Sequence, residues 1–342
     1  MPKIKVGQAL IHYHRTGEGE PLLLIAGLGG DLYNWKNAIP HLQGKHRVIA
    51  FDNRGAGLTE APATAFSMET LADDAAGLLD ALEIRKAHII GWSMGGNVAQ
   101  ELTLRHPKRV GTLVLMSTYA RAPGRSRFAL DTMIRGLREG SSPATAMMMM
   151  RAWCSTEAAF ADELSVEPSG SAGRETSQEG EGTRPGSRRQ LSVEPSGSAG
   201  RETSQEGEGT RPGSRRQLRV EPSGSAGRET SQEGEGTRPG SRQQSVPRTT
   251  SGSKGPNGVE GFANQKKALD GFDSRKRLKG LRVPTLLVHG TDDIMVPPDF
   301  ARELAAGIHG ARLHWIKGAG HFLPPKGWAQ PVLDFIARHP LD

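Results

Sequence analysis

Ser93, Asp293 and His321 are the residues through which this chain could do covalent chemistry. Ser93 is centred in Gly91-Trp92-Ser93-Met94-Gly95, which follows the apolar run Ala87-His88-Ile89-Ile90 and leads into a helical pattern over 97–105. A Gly-x-Ser-x-Gly on a strand-to-helix turn is a nucleophile elbow. Its flanks must be glycine because the turn is too tight for a side chain there. The hydroxyl is then held out at the carboxyl end of a strand, and the helix N-terminus below it favours developing negative charge. A serine hydroxyl needs a base to take its proton, and the base needs an acid to fix its tautomer and stabilise its cation. His321 in Gly318-Ala319-Gly320-His321-Phe322 and Asp293 in Thr291-Asp292-Asp293 offer those two types, in the chain order Ser, Asp, His.

These residues need a scaffold, and the surrounding pattern predicts one. Pro284-Thr285-Leu286-Leu287-Val288-His289-Gly290 reads as a buried parallel strand, apolar, β-branched and ended by glycine. Thr291-Asp292-Asp293 follows at its carboxyl end, where α/β sheets place their working residues. A further strand, Arg312-Leu313-His314-Trp315-Ile316, leads into the His321 segment. Pro21-Leu22-Leu23-Leu24-Ile25 and 109–117 read as strands of the same sheet.

With these motifs the chain resembles the α/β-hydrolase superfamily, over about 3–160 and 262–338. Within it, the chain resembles the serine-nucleophile esterases and enol-lactonases. Three further segments match the family pattern. Gly290-Thr291-Asp292-Asp293-Ile294-Met295-Val296-Pro297 carries the acid, with Asp293 at the motif position and Asp292 as its alternative. Asp52-Asn53-Arg54-Gly55-Ala56-Gly57-Leu58-Thr59 looks like the D-x-R-G-x-G-x-S/T turn, and Ala26-Gly27-Leu28-Gly29-Gly30 like the oxyanion loop. The resemblance implies an oxyanion hole from the backbone N–H groups of Leu28 and Met94, with Trp92 and Gly27 beside the substrate. Many relatives have His-Gly where this chain has Ala26-Gly27, which removes a side chain that often braces the loop. A serine at the elbow implies an ester or lactone substrate cleaved through an acyl-enzyme. Acyl transfer or perhydrolysis on the same triad is the alternative, as is a homologue impaired by a disrupted cap.

The implied fold is a mostly parallel central sheet with helices on both faces and a helical cap over the site. Residues 1–118 and 284–342 would form the core, and 119–163 with 259–283 the cap and a return helix. Arg127 to Gly140 and Ala144 to Ser155 read as cap helices, and Phe262 to Leu269 as the return helix. Between them, 164–190, 191–217 and 218–244 are three copies of one 27-residue unit, differing only at the second and twenty-sixth positions. Each copy offers Leu, Val and Ala as its apolar residues, with no aromatic and seven Gly or Pro. That cannot offset roughly 1–2 kcal/mol per residue of backbone entropy, so residues 164–258 are expected to be disordered. A long insertion adds little closure entropy, so the core should tolerate it.

Composition bounds the rest. Each repeat holds four Arg and four Glu, so the net charge of +7 arises elsewhere, chiefly in 266–282. There Lys266, Lys267, Arg275, Lys276, Arg277, Lys279 and Arg282 face Asp270 and Asp273, which reads as a solvated helix face and loop; docking of an acidic carrier protein is the functional alternative. No nucleic-acid motif accompanies the charge. No signal peptide or membrane-length apolar run is present, so a cytoplasmic protein is expected. One cysteine, Cys154, rules out an internal disulfide and reads as a small buried hydrophobe. No cofactor or metal is expected. Gly27-Leu28-Gly29-Gly30 lacks dinucleotide-fingerprint spacing, and His12 and His14, alternating on an early strand, read as solvent-facing. Among Met147–Met150 at most two side chains could line an acyl pocket, core packing being the other use.

Overall fold

The apolar runs become strands buried on both faces, and their alternation divides the core into two layers. Leu23, Ile25, Ile89, Leu113, Leu115 and Leu287 point to one layer. Their neighbours Leu22, Leu24, Ile90, Val114, Leu286 and Val288 point to the other. The computed structural model describes residues 1–156 and 257–341. The three repeats, and with them nearly all of the segment expected to be disordered, lie outside the described residues.

The strands are β1 (Lys3–Val6), β2 (Ala9–Thr16), β3 (Glu20–Ile25), β4 (His46–Phe51), β5 (Ala87–Trp92), β6 (Val110–Met116), β7 (Thr285–Gly290) and β8 (Arg312–Ile316). They form one sheet in the order β1-β2-β4-β3-β5-β6-β7-β8. The first two pairings are antiparallel and the others parallel. The helices are α1 (Ile39–Leu42), α2 (Met68–Ala81), α3 (Met94–Arg105), α4 (Gly124–Arg138), α5 (Pro143–Cys154), α6 (Gly258–Asp270), α7 (Pro298–Gly307) and α8 (Pro325–Ala337). Leu71 and Leu78 of α2, Val98 of α3 and Leu304 of α7 join the first layer. Ile39 of α1 and Val332 and Phe335 of α8 join the second.

Local chemistry explains the helix boundaries. Ser142 accepts a hydrogen bond from the Thr145 N–H at 3.0 Å, with Pro143 in the first turn, so α5 starts a residue earlier than its apolar pattern suggests. The return helix α6 starts at Gly258, inside the stretch expected to be disordered, because Asn257 is anchored through its side-chain amide to the Ala56 and Thr59 carbonyls.

One expectation is corrected, and a second at a single residue. His12 and His14 are buried, not solvent-facing, because the face of β2 that they share is covered, with His12 Nδ1 2.7 Å from the buried Asp52 carboxylate. Of the basic stretch, Lys267, Arg275, Lys276, Arg277, Lys279 and Arg282 are exposed as expected, and Lys266 is the exception. Lys266 is buried and bonded to both Asp131 and Asp270, while Arg277 pairs with Glu101 and Arg275 with Asp273. Each carboxylate neutralises a nearby cation.

Candidate active site

Ser93 connects β5 to α3 in a strained backbone conformation, φ 55° and ψ −123°, that few non-glycine residues adopt. The turn is locked from both sides. Ser93 N–H donates to the Met116 carbonyl at 2.9 Å, and the Thr118 hydroxyl donates to the Ser93 carbonyl at 2.8 Å. A Cβ on Gly91 would lie 2.3 Å from the Gly95 oxygen, and one on Gly95 2.1 Å from the Ile25 oxygen. No side chain fits at either flank.

Sheet order brings the other two residues to the same edge. β7 and β8 are paired, and the loops leaving their carboxyl ends are tied by bonds from Thr291 N–H to Ile316 and from Asp292 N–H to Ala319. His321 Nε2 lies 3.0 Å from Ser93 Oγ, and its Nδ1 lies 2.9 Å from Asp293 Oδ2. Asp293 and His321 are buried, and Ser93 is half-buried. The ring that donates Nδ1–H to a carboxylate keeps its Nε2 lone pair for the serine proton. The two aspartates separate cleanly: Asp292 is exposed and accepts from the Thr291 hydroxyl, whereas Asp293 faces the histidine. The second oxygen of Asp293 accepts the Val296 N–H at 2.8 Å.

His321 is also held by its backbone. Its N–H donates to the Cys154 carbonyl at 3.0 Å, and the Trp92 indole donates to its carbonyl at 3.1 Å. Trp92 packs against the His321 ring at 5.4 Å between centroids and against Phe322 at 5.3 Å. Cys154 is buried, and burial beside the Asp293 carboxylate pushes its thiol up to about 12.

Ser93 and His321 open into a cavity of about 910 Å³. Leu28 and Trp92 line it, together with Leu130 and Met133 from α4, Met150 from α5 and Phe262 from α6. Gly27 does not line it; it lies under Trp92 and Ser93, where a Cβ would come within 3.0 and 3.1 Å of them. Of the methionine run, Met150 reaches the cavity while Met148 and Met149 are exposed. Met94 opens α3, so its N–H has no acceptor within the helix. No group of three His, Cys, Asp or Glu that could hold a metal occurs among the described residues. None of their helices is long and apolar enough to cross a membrane.

The loop carrying Leu28 is braced by Gln265, which sequence reasoning did not single out, and by Asp52 and Asn53 of the turn that it read as a family motif. The fully buried Gln265 accepts the Gly29 N–H at 2.8 Å and donates to the Arg54 carbonyl at 2.8 Å. Asn53 donates to the Ala26 carbonyl at 3.0 Å. Asp52 accepts the Leu32 N–H at 2.7 Å, the Leu58 N–H at 2.8 Å and a 2.7 Å bond with His12 Nδ1. Near the acid, His289 is buried, bonds the Val296 carbonyl through Nε2 at 2.8 Å, and is held below its ordinary pKa by burial.

This sheet, with a serine elbow at the end of β5 and acid and histidine loops after β7 and β8, defines a class. The chain belongs to the α/β hydrolase fold family, whose sequence model matches residues 20–327. It is 44% identical over 109 residues to the 2-hydroxymuconate semialdehyde hydrolase of Pseudomonas sp. strain CF600, covering 31% of this chain and 38% of that one. The chain spans less than half the length of the first curated relatives it matches, 47%, 38% and 42%. Among solved structures, the enol-lactonase from Burkholderia xenovorans LB400 superposes with a TM-score of 0.67 at 23% identity, over 98% of this chain and 100% of that one. A thermophilic esterase from Thermogutta terrifontis superposes with a TM-score of 0.66 at 21% identity, over 99% and 98%. At such identities the likeness is one of fold.

Proposed function

We propose that this protein is a serine hydrolase that cleaves a small carboxylic ester or lactone through an acyl-enzyme. The observation that carries this reading is the hydrogen-bonded chain Ser93–His321–Asp293, at 3.0 and 2.9 Å, opening into the cavity. Ser93 Oγ attacks the carbonyl carbon and His321 Nε2 takes its proton, while Asp293 holds the ring and stabilises its cation. The carbonyl electron pair moves to oxygen, where the N–H groups of Leu28 and Met94 receive it. The tetrahedral adduct collapses, the bond to the leaving oxygen breaks, and His321 returns the proton to that oxygen. Water, deprotonated by His321, repeats the attack and releases the acid and Ser93. The names of the relatives support hydrolysis, and the esterase and enol-lactonase neighbours share the scaffold.

Hydrolysis of p-nitrophenyl esters of increasing acyl length, by the wild type and Ser93→Ala, tests the reading. Turnover and fluorophosphonate labelling should both vanish in Ser93→Ala. A wild type that is neither active nor labelled would refute it, and product that forms only with an added acceptor would reassign the chemistry to acyl transfer.

A further inference from the structure

The Ser93 carbonyl and the Met94 N–H are the two ends of one peptide group. A trans peptide is planar, so the two point in opposite directions and turn together. A group that grips the carbonyl therefore aims the N–H. The Gly96 N–H reaches that carbonyl at 2.9 Å from within α3, and the Thr118 hydroxyl reaches it at 2.8 Å from outside the helix. A peptide whose carbonyl accepts hydrogen bonds is also polarised, which strengthens its N–H as a donor.

Thr118 is itself fixed. It is buried, and a Cβ on Gly96 would fall 2.6 Å from its side chain, so it lies hard against the first turn of α3. Before it, Ser117 turns with φ 44°, in the left-handed region that few non-glycine residues enter, and donates its N–H to the Val288 carbonyl of β7 at 3.0 Å. After it, the Tyr119 carbonyl accepts from Asn97 at 2.6 Å and from Gln100 at 3.0 Å, both fully buried on α3. The Ser274 hydroxyl donates to Gln100 at 2.7 Å, and the Ser274 N–H donates to the Ala120 carbonyl at 2.9 Å. A strained residue persists where its surroundings over-determine it, and here the bonds on either side of Ser117 do so. Their common result is a hydroxyl held against the nucleophile's own carbonyl.

We propose, building on the acyl-enzyme reading above, that Thr118 is a positioning residue of the oxyanion hole: its hydroxyl, acting through the Ser93–Met94 peptide, aims the Met94 N–H at the oxygen of the tetrahedral adduct. Thr118 touches no reacting atom. Its effect falls on the transition state, where charge develops on that oxygen, and much less on the bound ester.

The test measures kcat and KM for p-nitrophenyl butyrate, affinity for phenylboronic acid, and Tm, on the full chain as wild type, Thr118→Val, Thr118→Ala and Thr118→Ser. Val keeps the shape and loses the hydroxyl, Ala loses both, and Ser keeps the hydroxyl and loses the methyl. Removing a whole oxyanion donor costs about 10²–10³ in kcat, so misaiming one should cost about 10–100-fold in Val and Ala, with KM changed less than about threefold. The boronic acid, whose tetrahedral adduct with Ser93 puts an oxygen in the hole, should bind more weakly by a similar factor. Thr118→Ser should keep kcat within about threefold of the wild type even though the lost methyl lowers Tm. A kcat that follows the hydroxyl and not Tm separates aiming from packing. A hydroxyl-less variant with nearly wild-type kcat, or a Ser variant as impaired as Val, overturns the proposal; the acyl-enzyme reading survives that result if activity still vanishes in Ser93→Ala. A wild type that is neither active nor labelled by a fluorophosphonate refutes both.

Discussion

Gln265 offers the sharpest test of how the site is held together. It sits on α6, 236 residues from Gly29 in sequence, and ties the Gly29 N–H to the Arg54 carbonyl through bonds of 2.8 Å. Gly29 adjoins Leu28, so the contact fixes the loop that offers the proposed oxyanion donor. Gly29 has φ 66°, and Phe262, one turn before Gln265, packs so closely on it that a Cβ would fall 2.6 Å from the ring. Gln265→Leu keeps the bulk but leaves the buried Arg54 carbonyl unpaired, costing about 1–3 kcal/mol, and frees the half-buried Gly29 N–H, which costs less. Some of that cost will appear as a lower Tm. The rest should appear in the transition state, because removing one oxyanion donor costs about 10²–10³ in kcat. Loosening a donor should cost less, about 10–100-fold, with KM changed less than about threefold.

Gln265→Glu separates the two effects. Its carboxylate still accepts from Gly29 but repels the Arg54 carbonyl, so it should lose stability while keeping most of kcat. A boronic acid, which places an oxygen in the hole, should bind more weakly to the Leu variant in step with the loss of kcat. Unchanged kcat in Gln265→Leu, or equal kcat losses in both variants, would refute the reasoning.

Three further outcomes follow from the same structure. Burial holds His14, His46, His88 and His289 below the ordinary value of 6.5, so each stays neutral when folded and takes a proton when unfolded. Their stabilisation is complete above about pH 6.5 and is lost as pH falls through the folded values, at up to about 1.4 kcal/mol per pH unit for each histidine; a flat urea midpoint between pH 7.5 and 5 would refute this. With its thiol pushed up to about 12, Cys154 should resist Ellman's reagent at pH 8 in the native chain and react as one equivalent in urea; rapid native reaction would show that it is accessible. Deletion of residues 164–244 should leave fluorophosphonate labelling of Ser93 in place, because the contacts that build the site among the described residues come from 12–154 and 257–322; loss of labelling in a folded variant would give the repeats a part in the site.

The site was legible where its chemistry is local. The glycines around Ser93, the apolar strand before it and the Gly-x-x-Asp turn are short-range patterns, and the strands they predict are those of the sheet. What escaped notice depends on contacts between distant segments. A glutamine within Phe262-Ala263-Asn264-Gln265 looks like any polar helix residue until the helix is packed against two loops. His12 looked solvent-facing because alternation on one strand cannot reveal what covers the face it points to, here the Asp52 carboxylate. Lys266 looked like part of a basic surface because Asp131, which neutralises it, lies on another helix.

The proposed oxyanion donors are main-chain amides, so no substitution deletes one directly, and their precision rests on whatever holds the loop. Here that is shared between the two ends of a short segment. Asn53 grips the Ala26 carbonyl and Gln265 grips the Gly29 N–H, with the Leu28 amide between them. If each grip acted alone, the losses in ΔΔG‡ from Asn53→Ala and Gln265→Leu would add. Because both constrain the same few dihedrals, releasing either already frees the amide, and the second release has less left to disturb. The double variant should therefore lose less kcat than the product of the single losses, with a coupling of about 0.5–3 kcal/mol. Additive losses would mean that the loop holds its shape by its own backbone, as it could through the 3.0 Å bond from Gly30 N–H to the Gly27 carbonyl.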